Sequence, residues 1–269
     1  VDALSQIRGA YAVVIVDASR KSVFLAVDRF AIQTLCYCLD GQKLSFSDRA
    51  DCVEGRGNEL DAQAIFDYLF FHMIPAPRTI FRKVRRLPAG HGLLIGESGV
   101  RAIRHWPLTF DEQHREPFPV ARNTFCKLIR DSVVEEVSGH KRVGAFLSGG
   151  TDSSTVAGML CEVTGAPAPS YSIGFEAEGY DEMGYARLAA RHFGCEHHEY
   201  YVTPADLVAS IPAVAQHYDQ PFGNSSALPA YYCAKMAKAD GCTKMLAGDG
   251  GDELFGGNSR YATQRMFEF

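Results

Sequence analysis

Val143-Gly-Ala-Phe-Leu-Ser-Gly-Gly-Thr-Asp-Ser-Ser154 is the stretch that decides the fold. Its apolar first half has the length and make-up of a buried strand, and a helix is predicted to start just after it. The turn between them is Ser148-Gly149-Gly150-Thr151-Asp152-Ser153-Ser154. Two glycines let backbone N–H groups come close to an anion. Ser148, Ser153 and Ser154 add hydroxyl donors, and the helix N-terminus adds partial positive charge. The carboxyl end of a parallel strand is where open α/β sheets bind ligands. Neither a Gly-Lys-Ser/Thr ending nor Gly-x-Gly-x-x-Gly occurs here, so the loop is not a Walker A or dinucleotide fingerprint. Asp152 is the unusual member, because a carboxylate repels phosphate unless a cation lies between them. Mg²⁺ held by Asp152 and the phosphates together is the economical explanation. The competing reading is an ordinary strand–helix turn capped by Ser and Asp.

A second stretch has the same grammar. Lys244-Met-Leu-Ala-Gly-Asp-Gly-Gly-Asp-Glu-Leu-Phe-Gly-Gly257 runs from a short strand into a glycine-rich loop carrying Asp249, Asp252 and Glu253. Carboxylates this close repel one another, so a purely structural role is costly without a cation or donor. The flanking helices and ligand spacing of an EF-hand are missing. The two loops are expected to meet at adjacent strand ends.

Working outward, strands and helices alternate through the second half. Strands are predicted at 142–147, 168–175, 197–202 and 243–247, and helices at 153–161, 181–193, 204–217 and 227–239. Phe125, Leu128, Ile129, Val133 and Val137 mark one face of a further helix. Such alternation implies a doubly wound, mostly parallel sheet. Residues 105–121 are polar and Pro-rich and read as a linker. Before it the chain reads as β, with strands at 11–17, 23–27, 34–39, 43–46 and 91–95 and one helix at 61–71 led by Asp61 as its N-cap.

The 269 residues suit two domains, and 46% hydrophobic with 22% charged residues is ordinary globular composition. Net charge is −5, which argues against nucleic-acid binding by bulk electrostatics. No apolar run approaches the roughly 20 residues of a membrane span. Eight Cys occur without a Cys-x-x-Cys pair, so they read as buried, reduced thiols of a cytoplasmic protein rather than a zinc site or disulfide framework. His197 and His198 adjoin on a strand, point to opposite faces and so cannot share a metal. Arg82-Lys83-Val84-Arg85-Arg86 reads as a solvated face or a contact to further chain. The chain starts without Met and reads as a piece of something longer.

Ser148-Gly-Gly-Thr-Asp-Ser153 together with Gly248-Asp-Gly-Gly-Asp-Glu-Leu-Phe-Gly-Gly257 resembles the asparagine synthetase B family. The first motif is common to the N-type ATP pyrophosphatases, and the second is much narrower. Tyr171-Ser-Ile-Gly-Phe175, Asp181-Glu-Met-Gly-Tyr-Ala186, His197-His-Glu199 and Asp219-Gln-Pro-Phe-Gly-Asn-Ser-Ser-Ala-Leu-Pro229 resemble that family in order and spacing. In the first half, Gly9–Asp17, Ala26-Val-Asp-Arg29, Phe46-Ser-Asp48, Pro77-Arg-Thr-Ile-Phe81 and Leu87-Pro-Ala-Gly-His91 resemble its glutaminase domain and the segment that follows.

The resemblance implies an α/β chain. A partial N-terminal-nucleophile glutaminase β-sheet region (1–104) would precede the linker (105–121) and a doubly wound ATP pyrophosphatase domain (122–269). It implies ATP and Mg²⁺ as cofactors, adenylation of the aspartate side chain with release of pyrophosphate, and displacement of AMP by ammonia from glutamine. Carried over, Ser148, Gly149, Gly150, Asp152 and Ser153 would hold pyrophosphate. Leu147, Ile173, Ala247 and Gly248 would contact adenosine. Asp152 and Asp252 would be the Mg²⁺-side carboxylates, and Asp249 would serve the acyl-adenylate step. The family's nucleophile is an N-terminal Cys, and none of the Cys here takes its place, so this chain alone is expected to lack glutaminase activity. A downstream catalytic Lys of the family lies beyond Phe269. Asp249 stands where Glu is frequent, Asn258 where Tyr is, and Asp28-Arg-Phe-Ala-Ile-Gln-Thr-Leu35 departs from Asp-Arg-x-Gly-x-Lys-Pro-Leu. A different carboxylate as acceptor, a non-catalytic ATP-binding role and a homodimer all stay open.

Overall fold

The computed structural model describes residues 2–110, 116–176 and 181–267. The chain divides into two units, Val1–Gln113 with Ala215–Asn224, and His114–Val214 with Ser225–Phe269.

The first unit is antiparallel. Its elements are β1 (Ala12–Asp17), β2 (Ser22–Val27), β3 (Cys36–Asp40), β4 (Lys43–Ser47), α1 (Ala62–Phe71), β5 (Arg85–Arg86), β6 (His91–Gly96) and β7 (Gly99–Arg104). A four-stranded sheet runs β1-β2-β6-β7 and a three-stranded one β4-β3-β5. Both expected hairpins form. In the first turn the Asp17 carboxylate accepts from the Ser19 hydroxyl at 2.6 Å and the Arg20 N–H at 3.0 Å. The second hairpin closes on the pair Asp40 and Lys43. Asp61 caps α1, accepting from the N–H groups of Gln63 (2.9 Å) and Ala64 (3.3 Å).

Two carboxylates hold loops of this unit. Buried Asp28 accepts from the N–H groups of Tyr11, Phe30, Ile32 and Gln33 at 2.9–3.2 Å. Asp219 pairs with Arg86 and accepts the Ala50 N–H at 2.7 Å. The basic run is therefore not a uniform solvated face. Arg82 pairs with Glu59 at the surface, Val84 is fully buried, and Arg86 is drawn inward by Asp219.

The second unit carries α2 (Phe118–Val137), β8 (Val143–Phe146), α3 (Thr151–Thr164), β9 (Pro169–Phe175), α4 (Met183–Phe193) and β10 (Glu196–Val202). Then follow α5 (Pro204–His217), α6 (Ala227–Ala239), β11 (Lys244–Leu246), α7 (Gly251–Phe255) and α8 (Ser259–Phe267). The last residues of α5 belong to the segment that folds with the first unit. α2 opens at Phe118, inside the stretch that reads as linker. The strands form a parallel sheet in the order β10-β9-β8-β11. Val133, Ala157, Leu160, Met183, Ala186 and Ala190 cover one face from α2, α3 and α4. Cys233 and Ala237 of α6 cover the other, against Tyr171. Helices on both faces make the sheet doubly wound and explain why its central strand reads as a continuous apolar run. Gly144 keeps that strand thin, because a Cβ there would lie 2.8 Å from Met245 Sδ and 3.0 Å from the Tyr171 ring.

Chain order leaves β8 in both directions, to β9 and β10 on one side and to β11 on the other. The topological switch point thus falls between β8 and β11, and α/β sheets bind ligands beyond the carboxyl ends of the strands there.

All eight Cys are free thiols. Cys36, Cys38 and Cys233 are buried, and burial pushes the Cys233 thiol up to about 12. Cys52 and Cys126 are exposed, which corrects the expectation of uniformly buried thiols. Cys126 lies on α2, and only Val133 of that helix is buried. Among the described residues no helix is long and apolar enough to cross a membrane.

Candidate functional site

The first loop leaves β8 at Leu147, and α3 begins at Thr151 with Gly150 as its N-cap. Gly150 has no side chain to satisfy the first-turn N–H groups, which therefore remain directed out of the helix end. The serines shape the turn. The Ser148 N–H donates to Ser153 Oγ at 3.2 Å, the two hydroxyls lie 2.9 Å apart, and the Gly150 N–H donates to Ser148 Oγ at 3.3 Å. Gly149 has φ +88°, and a Cβ there would sit 2.5 Å from Ala186 N and from Tyr185 C. Only glycine meets both demands, so the loop lies directly against the start of α4.

The second loop leaves β11, the hydrogen-bonded neighbour of β8. It passes over the first turn of α3. A Cβ on Gly248 would lie 2.8 Å from Asp152 C and Ser153 N, and one on Gly251 would strike the Asp152 carboxylate. The Asp252 carboxylate in turn occupies the space beside Gly257. The two loops thus meet as the sequence predicts, with glycine at each crossing.

Together they frame a cavity of about 1350 Å³. Leu147, Ser148, Gly150, Asp152, Ser153, Ile173, Ala247, Gly248, Asp249 and Asp252 all line it. Gly149 does not, being turned against α4. Among the described residues its charged lining is Asp152, Glu182, Asp249, Asp252 and Glu253, with no Lys, Arg or His. Lining groups that sequence reading missed include Phe125, Leu128 and Ile129 of α2, and Pro229, Ala230 and Cys233 of α6. An amphipathic helix face reads as core, and nothing local marks it as a cavity wall.

The donor set is all oxygen, which suits a hard divalent cation. Among the described residues no group of three or more His, Cys, Asp or Glu could hold a metal. A pair of carboxylates fits Mg²⁺, which keeps waters and takes substrate phosphates as ligands in place of an all-protein cage. Asp152 and Asp252 are two of the carboxylates that line the cavity.

His197 and His198 go to opposite faces, as alternation requires. His197 Nε2 lies 2.8 Å from Ser172 Oγ, while the His198 ring stacks on Tyr171 at 4.9 Å. Burial lowers the His197 pKa from its ordinary value. Desolvation and the neighbouring Cys242 and Asp240 raise that of the Tyr171 phenol, which stays protonated and donates to Asp240 at 3.0 Å.

Comparison with known proteins agrees with these features. The family model of asparagine synthase matches residues 124–268, the stretch that contains both loops. The chain belongs to the asparagine synthase family. The glutamine amidotransferase domain model matches residues 1–106, the antiparallel region. Asparagine synthetase (glutamine-hydrolyzing) 1 of Bacillus subtilis is 30% identical over 266 residues, covering 97% of this chain and 41% of that protein. Putative asparagine synthetase (glutamine-hydrolyzing) 2 of Methanocaldococcus jannaschii is 31% identical over 276 residues, covering 100% of this chain and 53% of that protein. The chain thus spans about half the length of these asparagine synthase relatives. A solved NH3-dependent NAD synthetase of Campylobacter jejuni aligns over 51% of this chain and 60% of its own, at 13% identity and a TM-score of 0.36.

Proposed function

We propose that the second unit binds ATP with Mg²⁺ and activates a carboxylate as its adenylate, and that the whole protein is an amide-forming ligase. The observation that carries this reading is the meeting of two glycine-rich loops at the switch point of a parallel sheet, around a cavity whose charged lining among the described residues is carboxylate only. An uncapped helix start offers N–H groups to phosphate oxygens.

In this reading Ser148, Gly149, Gly150, Asp152 and Ser153 hold the pyrophosphate portion, Gly149 through its backbone. Leu147, Ile173, Ala247 and Gly248 enclose the adenosine. Asp152 and Asp252 would hold Mg²⁺ together with the phosphates, and the bound ion would supply charge neutralisation as pyrophosphate leaves. An acceptor carboxylate oxygen attacks the α-phosphorus, and the bond from that phosphorus to pyrophosphate breaks. Ammonia then attacks the acyl carbon, Asp249 accepts a proton from it, and AMP leaves. Orientation of the two reactants supplies the rest of the rate.

Residues 1–104 represent the glutaminase-type part, 105–121 the connection and 122–269 the synthetase part. Glutamine is the ammonia source in the whole protein. Aspartate is the acceptor that the family supports best. A different carboxylate is the second reading, favoured by the shorter Asp249 and by the apolar wall of Phe125, Leu128, Ile129 and Phe255. The test is pyrophosphate release by the whole protein across a panel of carboxylates with ATP, Mg²⁺ and ammonia. Release that depends on aspartate is expected. Failure of every carboxylate to raise release above background would refute the ligase reading.

A further inference from the structure

A chain of hydrogen bonds crosses the sheet and ends in the first loop. On β10, His197 Nε2 lies 2.8 Å from Ser172 Oγ on β9. Ser172 Oγ donates to the carbonyl of Leu147, at the end of β8. That carbonyl shares its peptide plane with the Ser148 N–H, and in a trans peptide the two point in opposite directions. The Ser148 N–H donates to Ser153 Oγ at 3.2 Å. Ser172 and Leu147 are almost wholly buried, and the His197 side chain is 11% exposed.

The direction of every proton follows. A carbonyl can only accept, so the single Ser172 hydroxyl proton goes to Leu147. Ser172 Oγ must then accept from His197, whose proton therefore sits on Nε2. His197 Nδ1 is left facing Glu199 at 3.6 Å, and Glu199 is itself gripped by Arg187 through two bonds of 2.9 and 2.6 Å. Leu147 is bound on both sides, since its own N–H donates to the Tyr171 carbonyl at 3.0 Å. Without Ser172, the Leu147 carbonyl would be a buried acceptor with no other partner among the described residues. Unmet buried acceptors are costly, and the peptide would turn to find a donor. Turning it moves the Ser148 N–H off Ser153 and the carbonyl toward the cavity, where it would repel phosphate.

We infer that His197 and Ser172 are positioning residues for the nucleotide loop, setting the Leu147–Ser148 peptide plane and through it the Ser153 hydroxyl. The role in nucleotide binding rests on the reading of the cavity as an ATP site; the bond pattern itself does not. His197 touches no reacting atom. It acts through Ser172, and coupled bonds of this kind stiffen one another.

The experiment has two arms, both on the whole protein. In the first, the KM for Mg·ATP is measured for His197→Leu, His197→Gln, Ser172→Ala and the Leu/Ala double variant. Loss of one buried hydrogen bond should raise KM about fivefold in His197→Leu and in Ser172→Ala. kcat at saturating ATP should be unchanged, because the bond supports binding before and during the reaction alike. The double variant should be no worse than the worse single variant. His197→Gln, whose side-chain amide can donate from the place of Nε2, should restore KM. In the second arm, ¹⁵N spectra of the ligand-free protein report the His197 tautomer. A proton on Nε2 is expected. An Nδ1 proton, a His197→Leu variant with wild-type KM, or a His197→Gln variant as impaired as His197→Leu would overturn the inference. A wild-type protein that binds no ATP would instead refute the nucleotide reading, and the tautomer would still decide the relay.

Discussion

Gly149→Ala separates steric closeness from backbone strain. The native residue has φ +88°, and a Cβ would stand 2.5 Å from the backbone of Tyr185 and Ala186 at the start of α4. The left-handed conformation costs an alanine about 1–2 kcal/mol. Forcing a methyl against backbone that cannot rotate away adds about 1–3 kcal/mol. The sum is about 2–5 kcal/mol. Gly165 supplies the control. It also has positive φ, +64°, as the C-cap of α3, but a Cβ there meets nothing within 4 Å. Gly165→Ala should therefore cost only the strain, about 1–2 kcal/mol. The assay is urea denaturation of both variants and the parent, with Mg·ATP affinity measured on the folded fraction. Gly149→Ala should lose clearly more stability than Gly165→Ala and should also lose nucleotide affinity. Equal losses, with nucleotide affinity intact in both, would refute the claim that the loop is seated on α4.

Other perturbations read other parts of the account. Asp249→Asn should spare Mg·ATP binding and abolish amide formation, with a rate loss of about 10²–10⁴ for a positioned base, whereas Asp252→Asn should weaken Mg²⁺-dependent binding itself. If rapid-quench and binding measurements find both variants impaired in the same step, that division of roles fails. Burial lowers the pKa of His197 from its ordinary 6.5, so below that pH the unfolded chain takes up the proton first. The contribution of His197 to stability is whole above pH 6.5 and should decline as pH falls toward the folded value. Denaturation midpoints across that range should slope less in His197→Gln, and an unchanged slope would contradict it. Asp219→Ala strands a mostly buried Arg86 and the Ala50 N–H, and should destabilise the first unit by about 3 kcal/mol, read by denaturation. A loss within error would mean that the pair is solvated.

The loops were legible in the sequence because their signals are local. An apolar run that stops at two glycines announces a strand end, and Asp61 before an apolar helix announces a cap. β7 left no such signal, because Gly99-Val-Arg-Ala-Ile-Arg104 spaces its arginines three apart and so breaks the apolar-polar alternation of a strand, on an exposed sheet edge. α7 lies within the stretch that reads as a glycine-rich loop, since glycines at 250, 251, 256 and 257 break any helical period. The cavity wall from α2 was hidden for the opposite reason, since its apolar face has the same period as any core face. The relay through His197 and Ser172 was invisible because it depends on register, with His197 opposite Ser170 and Ser172 therefore within reach. Asp219 meets Arg86 across a sequence separation of 133 residues, so no window of sequence could place the segment 215–224 in the first unit.

The central claim is that Asp152 sits in an anion site that works only with a divalent cation between it and the phosphates. Calorimetric titration of the protein with ATP, with Mg²⁺ and in its absence, tests this for the parent and for Asp152→Asn. The account predicts binding that requires Mg²⁺ in the parent and is weakened in Asp152→Asn. Equal affinity with and without Mg²⁺, or an Asp152→Asn variant that binds Mg·ATP as tightly as the parent, would contradict it.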